Sequence, residues 1–539
     1  MTGAIAQGEL VDVGDGVHHE LTPQETRLVI TASSLGTVFE WYDFFIYGTL
    51  AAIIGKTFFP SGDPTMELLL SLLGFAVGFG FRPLGAILFG YFGDKLGRKY
   101  TFLATITLMG LATAAIAFVP SYAAWGMAAP VIILILRILQ GLALGGEYGG
   151  AAIYVAEHAP AGKRGFYTSF IQASVIGGFV LSLVVVLGTK LTVGQEVFEA
   201  WAWRIPFAFS LVLLAISLWM RMKLNQSPVF KAMKEAGTVA KNPLKESFTY
   251  PGNWKRILVA LFGIAAGLTV ISYTAMFSQL FLITGPLRVE STQAETIVAI
   301  GSIIGSIFFI FAGWWSDKIG RKKPIILGYV LTLLLIFPAF HLIGKIANPA
   351  INAISETNPV VVTGSDCAFN PLAKVQATDC GKLLAGLTKA GIAYDTAKGN
   401  MLAVSVAGKP LAEASAAAVE ADLKAKGIVL DKVKLGGAQI AAVLVVIVFV
   451  FSLSGLTYGP VAALLSEMFP PAIRYSSLSI PYHIGTGYFG GFLPLVRQSI
   501  NAKTGDPYNG LWYTFAVVLM AFLVTLFGLK ETHKVGVDD

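Results

Sequence analysis

The stretch Gly90-Tyr91-Phe92-Gly93-Asp94-Lys95-Leu96-Gly97-Arg98-Lys99 occurs a second time as Gly313-Trp314-Trp315-Ser316-Asp317-Lys318-Ile319-Gly320-Arg321-Lys322, offset by 223 positions from Asp94 to Asp317. Each copy is a glycine-punctuated, basic turn between two long apolar runs. Glycine permits the positive φ and close backbone approach that such a turn needs. A second pair, Glu157-x-x-Pro160-x-x-x-Arg164 and Glu467-x-x-Pro470-x-x-x-Arg474, is offset by 310 positions. The offsets differ by 87 residues, so the second half of the chain carries about that much extra sequence between its two motifs.

Outward from these loops the chain reads as membrane. Of 539 residues, 55% are hydrophobic and only 13% charged. A soluble domain carries about 25% charged residues, so a soluble enzyme or a disordered chain is excluded. Apolar runs long enough to span a bilayer fall at 28–54, 66–92, 100–119, 128–156, 166–189, 203–221, 255–283, 291–316, 323–344, 437–466, 475–498 and 510–530. The repeated loops lie six spans apart, and an even separation makes the halves parallel copies. The expected fold is an all-α membrane protein of twelve transmembrane helices in two parallel-repeat six-helix bundles, with a small α/β extracytoplasmic insert.

The net charge of +7 could signal nucleic acid, but Lys95, Arg98, Lys99, Lys163, Arg164, Lys318, Arg321, Lys322 and Lys323 sit in loops on one side, as the positive-inside rule requires. Both termini are then expected in the cytoplasm of a multi-pass plasma-membrane (bacterial inner-membrane) protein. The first 27 residues lack a basic segment followed by an apolar core, so no cleavable signal is expected. The expected organisation is a cytoplasmic segment 1–27, a first bundle 28–221, a cytoplasmic linker 222–254, helices seven to nine in 255–344, an insert 345–436, helices ten to twelve in 437–530, and a cytoplasmic tail 531–539.

The insert is rich in Ala, Lys and Asp. Pro359–Gly364 and Leu402–Val406 read as strands and Glu413–Lys426 as an amphipathic helix. Cys367 and Cys380 are the only cysteines. Outside the cytosol they are expected to form a disulfide worth about 3 kcal/mol; the alternative is two unpaired thiols. The insert is also the segment expected to contact a periplasmic or extracellular partner.

The two G-x-x-[GS]-D-x-x-G-R-K loops resemble the signature of the major facilitator superfamily, and Arg137-x-x-Gln140-Gly141 looks like its second motif. Glu40-Trp41-Tyr42-Asp43-Phe44, Arg82-Pro83-x-Gly85, Gly145-Gly146-Glu147-Tyr148 and Trp203-Arg204-x-Pro206 are similar to its metabolite:H⁺ symporter branch. The resemblance covers nearly all the chain except the insert. It implies a two-bundle transporter that rocks around a central site and carries organic acids, aromatic acids or betaine-like osmolytes with protons. Gln226-Ser227-Pro228 departs from the Glu-[Ser/Thr]-Pro common in the branch. With so short a tail after 530, the coiled coil of osmosensing members is not expected.

Ionisable side chains inside spans are costly and mark function. Glu40 and Asp43 are three residues apart and share a helix face. Asp43 is the first candidate proton carrier, then Glu40, with Glu147 a third; the rival reading is a permanent ion pair with Arg82. Arg82 and Arg137 are candidate carboxylate anchors. Gln140, Tyr42, Tyr148, Gln172, Tyr273, Tyr458 and His483 complete the candidate substrate wall, with Gln279, Tyr482 and Tyr488 as further polar positions. Tyrosines suit aromatic or quaternary-amine contact, or else mark the membrane interface. Gly90, Asp94, Gly97, Arg98, Gly313, Asp317, Gly320 and Arg321, with Glu157, Arg164, Glu467 and Arg474, are candidate gating residues; simple charge anchoring is the alternative. Gly141, Gly145 and Gly149 repeat every four residues, a pattern for close helix packing.

No cofactor is expected. Gly55-Lys56-Thr57 mimics the end of a phosphate-binding loop, but Leu50 stands where its first glycine belongs, and no His-Glu-x-x-His occurs. The expected function is proton-coupled import of a small organic acid or zwitterion; the alternatives are an exporter or antiporter of the same fold, or a nutrient-sensing receptor. Partners are the small-molecule substrate, protons and the bilayer, with no nucleic acid and no enzymatic chemistry.

Overall fold

The computed structural model describes residues 23–534 apart from 97, 147, 161, 223–242, 353, 374 and 429. Twelve long helices dominate it: α1 Pro23–Thr49, α2 Pro64–Phe89, α3 Arg98–Ile116, α4 Ala128–Glu157, α5 Arg164–Val193, α6 Arg204–Met222, α7 Asn253–Thr284, α8 Ser291–Ile319, α9 Lys322–Ala347, α10 Gly437–Met468, α11 (Arg474–Ile484, a π-helical turn Gly485–Gly491, then Leu493–Thr504) and α12 Leu511–Gly528. Eight of these are long and apolar enough by themselves to cross a membrane, and the pair Gln195–Ala202 and Arg204–Met220, bent by 68°, makes a ninth. Of the other three, α3 counts as a shorter apolar helix over Leu103–Ile116, while α1 and α11 do not meet the length and hydropathy of a span. Large apolar side chains stand exposed on their outer faces, including Ile307, Val445 and Phe527. That is the surface a lipid solvent accepts.

The halves meet along two seams, α5 against α8 and α2 against α11. Glycines set the spacing of α4. A Cβ on Gly141 would collide with the Gly78 carbonyl, one on Gly145 with the Arg82 carbonyl, and one on Gly149 would lie 2.5 Å from Ser479 Oγ in the other half. The four-residue repeat is therefore a packing face, and its last member touches across the seam.

The insert has its own core around Val362, Leu384, Leu387, Val404, Val406 and Leu423. Its sheet runs β2-β1-β3-β4, with β1 Val360–Gly364 parallel to β2 Asp395–Lys398 and antiparallel to β3 Ala403–Val406, which pairs with β4 Lys409–Pro410. Cys367 and Cys380 are joined by a disulfide. The helix expected over Glu413–Lys426 begins at Ala416, because Ser415 Oγ caps it by accepting from Ala418 N–H at 3.2 Å. The helix Asp379–Lys389 was hidden by Gly381 and Gly386, and β2 by its fully exposed polar residues, which leave no alternation to detect.

The insert rides on the second half. Val433 N–H donates to Arg288 O at 2.8 Å and Glu290 N–H to Val433 O at 3.0 Å, while Tyr394 Oη donates to Ala502 O at 3.4 Å. On the first half, Lys389 Nζ donates to Gly62 O at 3.0 Å. The repeated motif loops lie at the opposite end of the bundle.

Candidate functional site

Helix α2 brings Arg82 to the seam with α11, where Nη1 donates to Thr486 Oγ1 at 3.1 Å. The side chain is wholly buried, and its Nε and Nη2 have no hydrogen-bond partner among the described residues. Its guanidinium carbon stands 5.1 Å from the Trp41 ring centre and 5.3 Å from that of Phe79. Among the described residues, the ion pairs that join the halves are Lys190–Glu295 and Arg474–Glu157 at the bundle's ends, not at Arg82. Tyr273, Tyr458 and His483 lie within electrostatic range of the same cation. Tyr458 and Tyr482 share a hydroxyl–hydroxyl hydrogen bond of 2.6 Å, and both ring nitrogens of buried His483 lack a partner.

Arg137, on α4, lies deeper within the first half. Nη1 donates to Gln140 Oε1 at 2.6 Å, and Gln140 Nε2 donates onward to Thr113 Oγ1 at 2.7 Å. Nε and Nη2 are again unpartnered, and the guanidinium carbon lies 4.1 Å from the Phe44 ring centre and 4.4 Å from that of Tyr47. Burying a charge without a counter-ion is expensive. Rings hold both guanidinium groups in place: Trp41 and Phe79 against Arg82, Phe44 and Tyr47 against Arg137. Glu40 and Asp43 are buried on α1, 6% and 5% exposed, and the Asp43 carbonyl lies 3.5 Å from Gln140 Nε2. Gln172 is buried on α5. Tyr42 is turned away from this layer: its hydroxyl donates to Pro206 O at 2.6 Å, tying α1 to α6.

Toward the insert, rings of both halves interlock above the layer. Phe45 meets Tyr273 at 5.8 Å and Phe277 at 5.6 Å, and Phe75 and Phe179 each lie 5.3 Å from Phe277. Beyond them Lys190 Nζ bonds both oxygens of Glu295 at 2.6 and 2.8 Å, joining α5 to α8.

At the opposite end the repeated motif joins the halves again. Asp317 Oδ1 accepts from Gly165 N–H and Oδ2 from Phe166 N–H, both at 2.8 Å, at the N-terminus of α5. That terminus is a natural seat for a carboxylate. Arg321 clasps Asp317 at 2.6 Å and Glu467 at 2.8 Å. Burial would lower the Arg321 pKa, but the hydrogen bonds and charges of Glu467 and Asp317 win and raise it. Arg474 reaches Glu157 of the first half at 3.4 Å. Gly313 and Gly165 touch so closely that a Cβ on either would strike the other's carbonyl, and Gly320 holds φ +99°. Arg164 begins α5 beside them. The side chains of Gly90, Asp94, Gly97, Arg98, Glu147 and Tyr148 lie outside the described residues, as does the Gln226-Ser227-Pro228 segment.

Three features escaped the sequence reading. Glu531 caps α9 by accepting from Arg321 N–H at 2.8 Å and Lys322 N–H at 3.2 Å. Lys190 and Glu295 pair across the halves. Arg497 is a further buried cation, 3% exposed, on α11.

Two six-helix halves, facing each other across a buried layer of charged side chains and tied at both ends, define a polytopic membrane transporter. Residues 28–257 match the family model described as "Sugar (and other) transporter". The chain is 30% identical over 523 residues to the inner membrane metabolite transport protein YhjE of Escherichia coli K12, covering 96% of each chain. It is 36% identical over 354 residues to the proline/betaine transporter of Salmonella typhimurium LT2, covering 63% of this chain and 68% of that one. The crystal structure of a D-xylose-proton symporter superposes with TM-score 0.60 at 17% identity, over 95% of this chain and 99% of that one. The protein belongs to the major facilitator superfamily, among its metabolite transporters.

Proposed function

We propose that this transporter imports a small organic acid or zwitterion together with protons, with the insert outside and the motif loops in the cytoplasm. One observation carries the reading: Arg82 and Arg137 are buried cations with unpartnered N–H groups, in one layer with the buried carboxyls of Glu40 and Asp43. A guanidinium presents a planar fork that matches a carboxylate. Proline and betaine, named for one relative, each pair a carboxylate with a cationic nitrogen, and the Tyr273 ring suits the cationic end. Asp43 carries the proton, Glu40 supports it, and the Asp317 and Glu157 contacts latch the cytoplasmic end while the site is loaded from outside.

The test is uptake into reconstituted vesicles under an imposed pH gradient, across a panel of organic acids and betaines. Asp43→Asn is expected to lose accumulation while keeping exchange down a substrate gradient. Arg137→Lys is expected to bind substrate at least tenfold more weakly, because an ammonium cannot reproduce the fork. Full accumulation by Asp43→Asn would refute the proton assignment. Absence of uptake for the whole panel would refute the substrate class.

A further inference from the structure

A groove of about 250 Å³ lies between α8 and α10, at the end of the second half nearest the insert. Glu290, Gln293 and Thr296 line one part of it, and Ile297, Ile300 and Leu444 the other. Along α8 the lining therefore turns from polar to apolar over ten residues, about 15 Å at 1.5 Å per residue.

That change falls where a bilayer changes too. Helix α8 has 29 residues, a length of about 43 Å, whereas the hydrocarbon core is about 30 Å thick. Its ends therefore stand in the headgroup layers. The large apolar side chains exposed on α8 begin at Ile300 and continue through Ile303, Ile307 and Phe311. The polar part of the groove thus lies at headgroup level and the apolar part among acyl chains.

The polar part carries one uncommitted charge. Arg288 donates to Ala390 O and has Glu420 and Asp431 of the insert within electrostatic range. Lys190 is taken by Glu295. Gln293 is bonded to both backbone groups of Leu435, at 2.7 and 3.0 Å. Among the described residues no cation pairs with the Glu290 carboxylate.

A carboxylate above an apolar trough discriminates between lipids. It attracts a protonated primary amine, whose three N–H donors can all bond to oxygen. A trimethylated amine offers no donor, and a headgroup with only a phosphate charge is repelled. We propose that the groove seats one amine-headed phospholipid from the leaflet on the insert's side. Its ammonium bonds Glu290, and a stretch of one acyl chain lies along Ile300 and Leu444. The lipid braces the α8–α10 corner, from which Glu295 reaches the first half. The site is independent of the transported solute.

The test uses the purified full-length chain in detergent. Phosphatidylethanolamine, phosphatidylcholine and phosphatidylglycerol with identical acyl chains are the probes, and retained lipid is counted by native mass spectrometry. Wild type is expected to retain phosphatidylethanolamine about tenfold better than the other two, the equivalent of one hydrogen bond to a charged group. Glu290→Gln is expected to bring the three level. Ile300→Trp, which fills the trough from a lipid-facing position, is expected to cut retention of phosphatidylethanolamine. Should Glu290→Gln not fold, Glu290→Lys reads the same site, with the preference turned to phosphatidylglycerol. Equal retention of the three lipids by wild type would overturn the proposal. So would a preference that survives both Glu290 variants, or retention unchanged in Ile300→Trp.

Discussion

The Asp317 carboxylate of the second half accepts the Gly165 backbone N–H of the first at 2.8 Å, so a side chain from one repeat closes on the helix end of the other. A helix N-terminus and Arg321 hold the same carboxylate, and hydrogen bonds to a charged group contribute about 1.5–3 kcal/mol each. Asp317→Asn removes the charge and keeps the shape. The population open at the motif end is expected to rise by about tenfold to a hundredfold, the equivalent of losing one such bond. Spin-label distances between the motif-end tips of α4 and α10 check it. An unchanged distance distribution would show that the contact does not latch.

Lys190 and Glu295 make the matching tie at the insert end, with side chains only 5% and 9% exposed. Removing one partner strands a buried charge, at a cost of about 3–5 kcal/mol, whereas replacing both by apolar groups is often neutral. Lys190→Met and Glu295→Met are each expected to lower the thermal midpoint sharply, and the double variant to recover most of the loss. Thermal unfolding in detergent measures this. Additive losses would mean that the two side chains are not coupled.

Glu531 gives the motif end a pH dependence. Burial pushes its carboxyl up, but the backbone N–H groups of Arg321, Lys322, His533 and Thr532 outweigh burial and hold the pKa below its usual value. A depressed carboxylate stabilises the fold above its unfolded pKa, about 4.3, and loses that contribution as pH falls through the folded value. Wild type is expected to lose stability below about pH 4.3 more steeply than Glu531→Gln. Parallel melting curves for the two proteins across pH 3–6 would eliminate the cap as the source.

Legibility in the sequence follows the range of the interaction. The twelve spans and the parallel repeat are local patterns, and the Asp94/Asp317 duplication displays both. Arg82 and Arg137 stood out because an arginine amid apolar residues has no local excuse. Arg497 has the same signature, yet it lies one residue from the expected end of its span at 498, where a cation reads as an interface anchor; α11 in fact continues to Thr504. Glu531 lies just past the last span, and nothing nearby announces that the chain turns back onto α9. Lys190 and Glu295 are 105 residues apart in different repeats. Each looks like an ordinary charge near a helix end until the halves are docked. Tyr42 illustrates the reverse case: a motif tyrosine beside the candidate carboxyls turns out to brace two helices of one half.

The insert is joined by backbone pairing to one half, and on the other, among the described residues, Lys389 donates to the Gly62 carbonyl. It therefore behaves as a pointer welded to one arm of a hinge. Its far edge sweeps further than any helix tip when the arms move, so a fluorophore on β2 would magnify each turnover into a displacement visible in single molecules. An antibody fragment wedged between that edge and the Gly62 loop would stall the cycle without entering the bilayer.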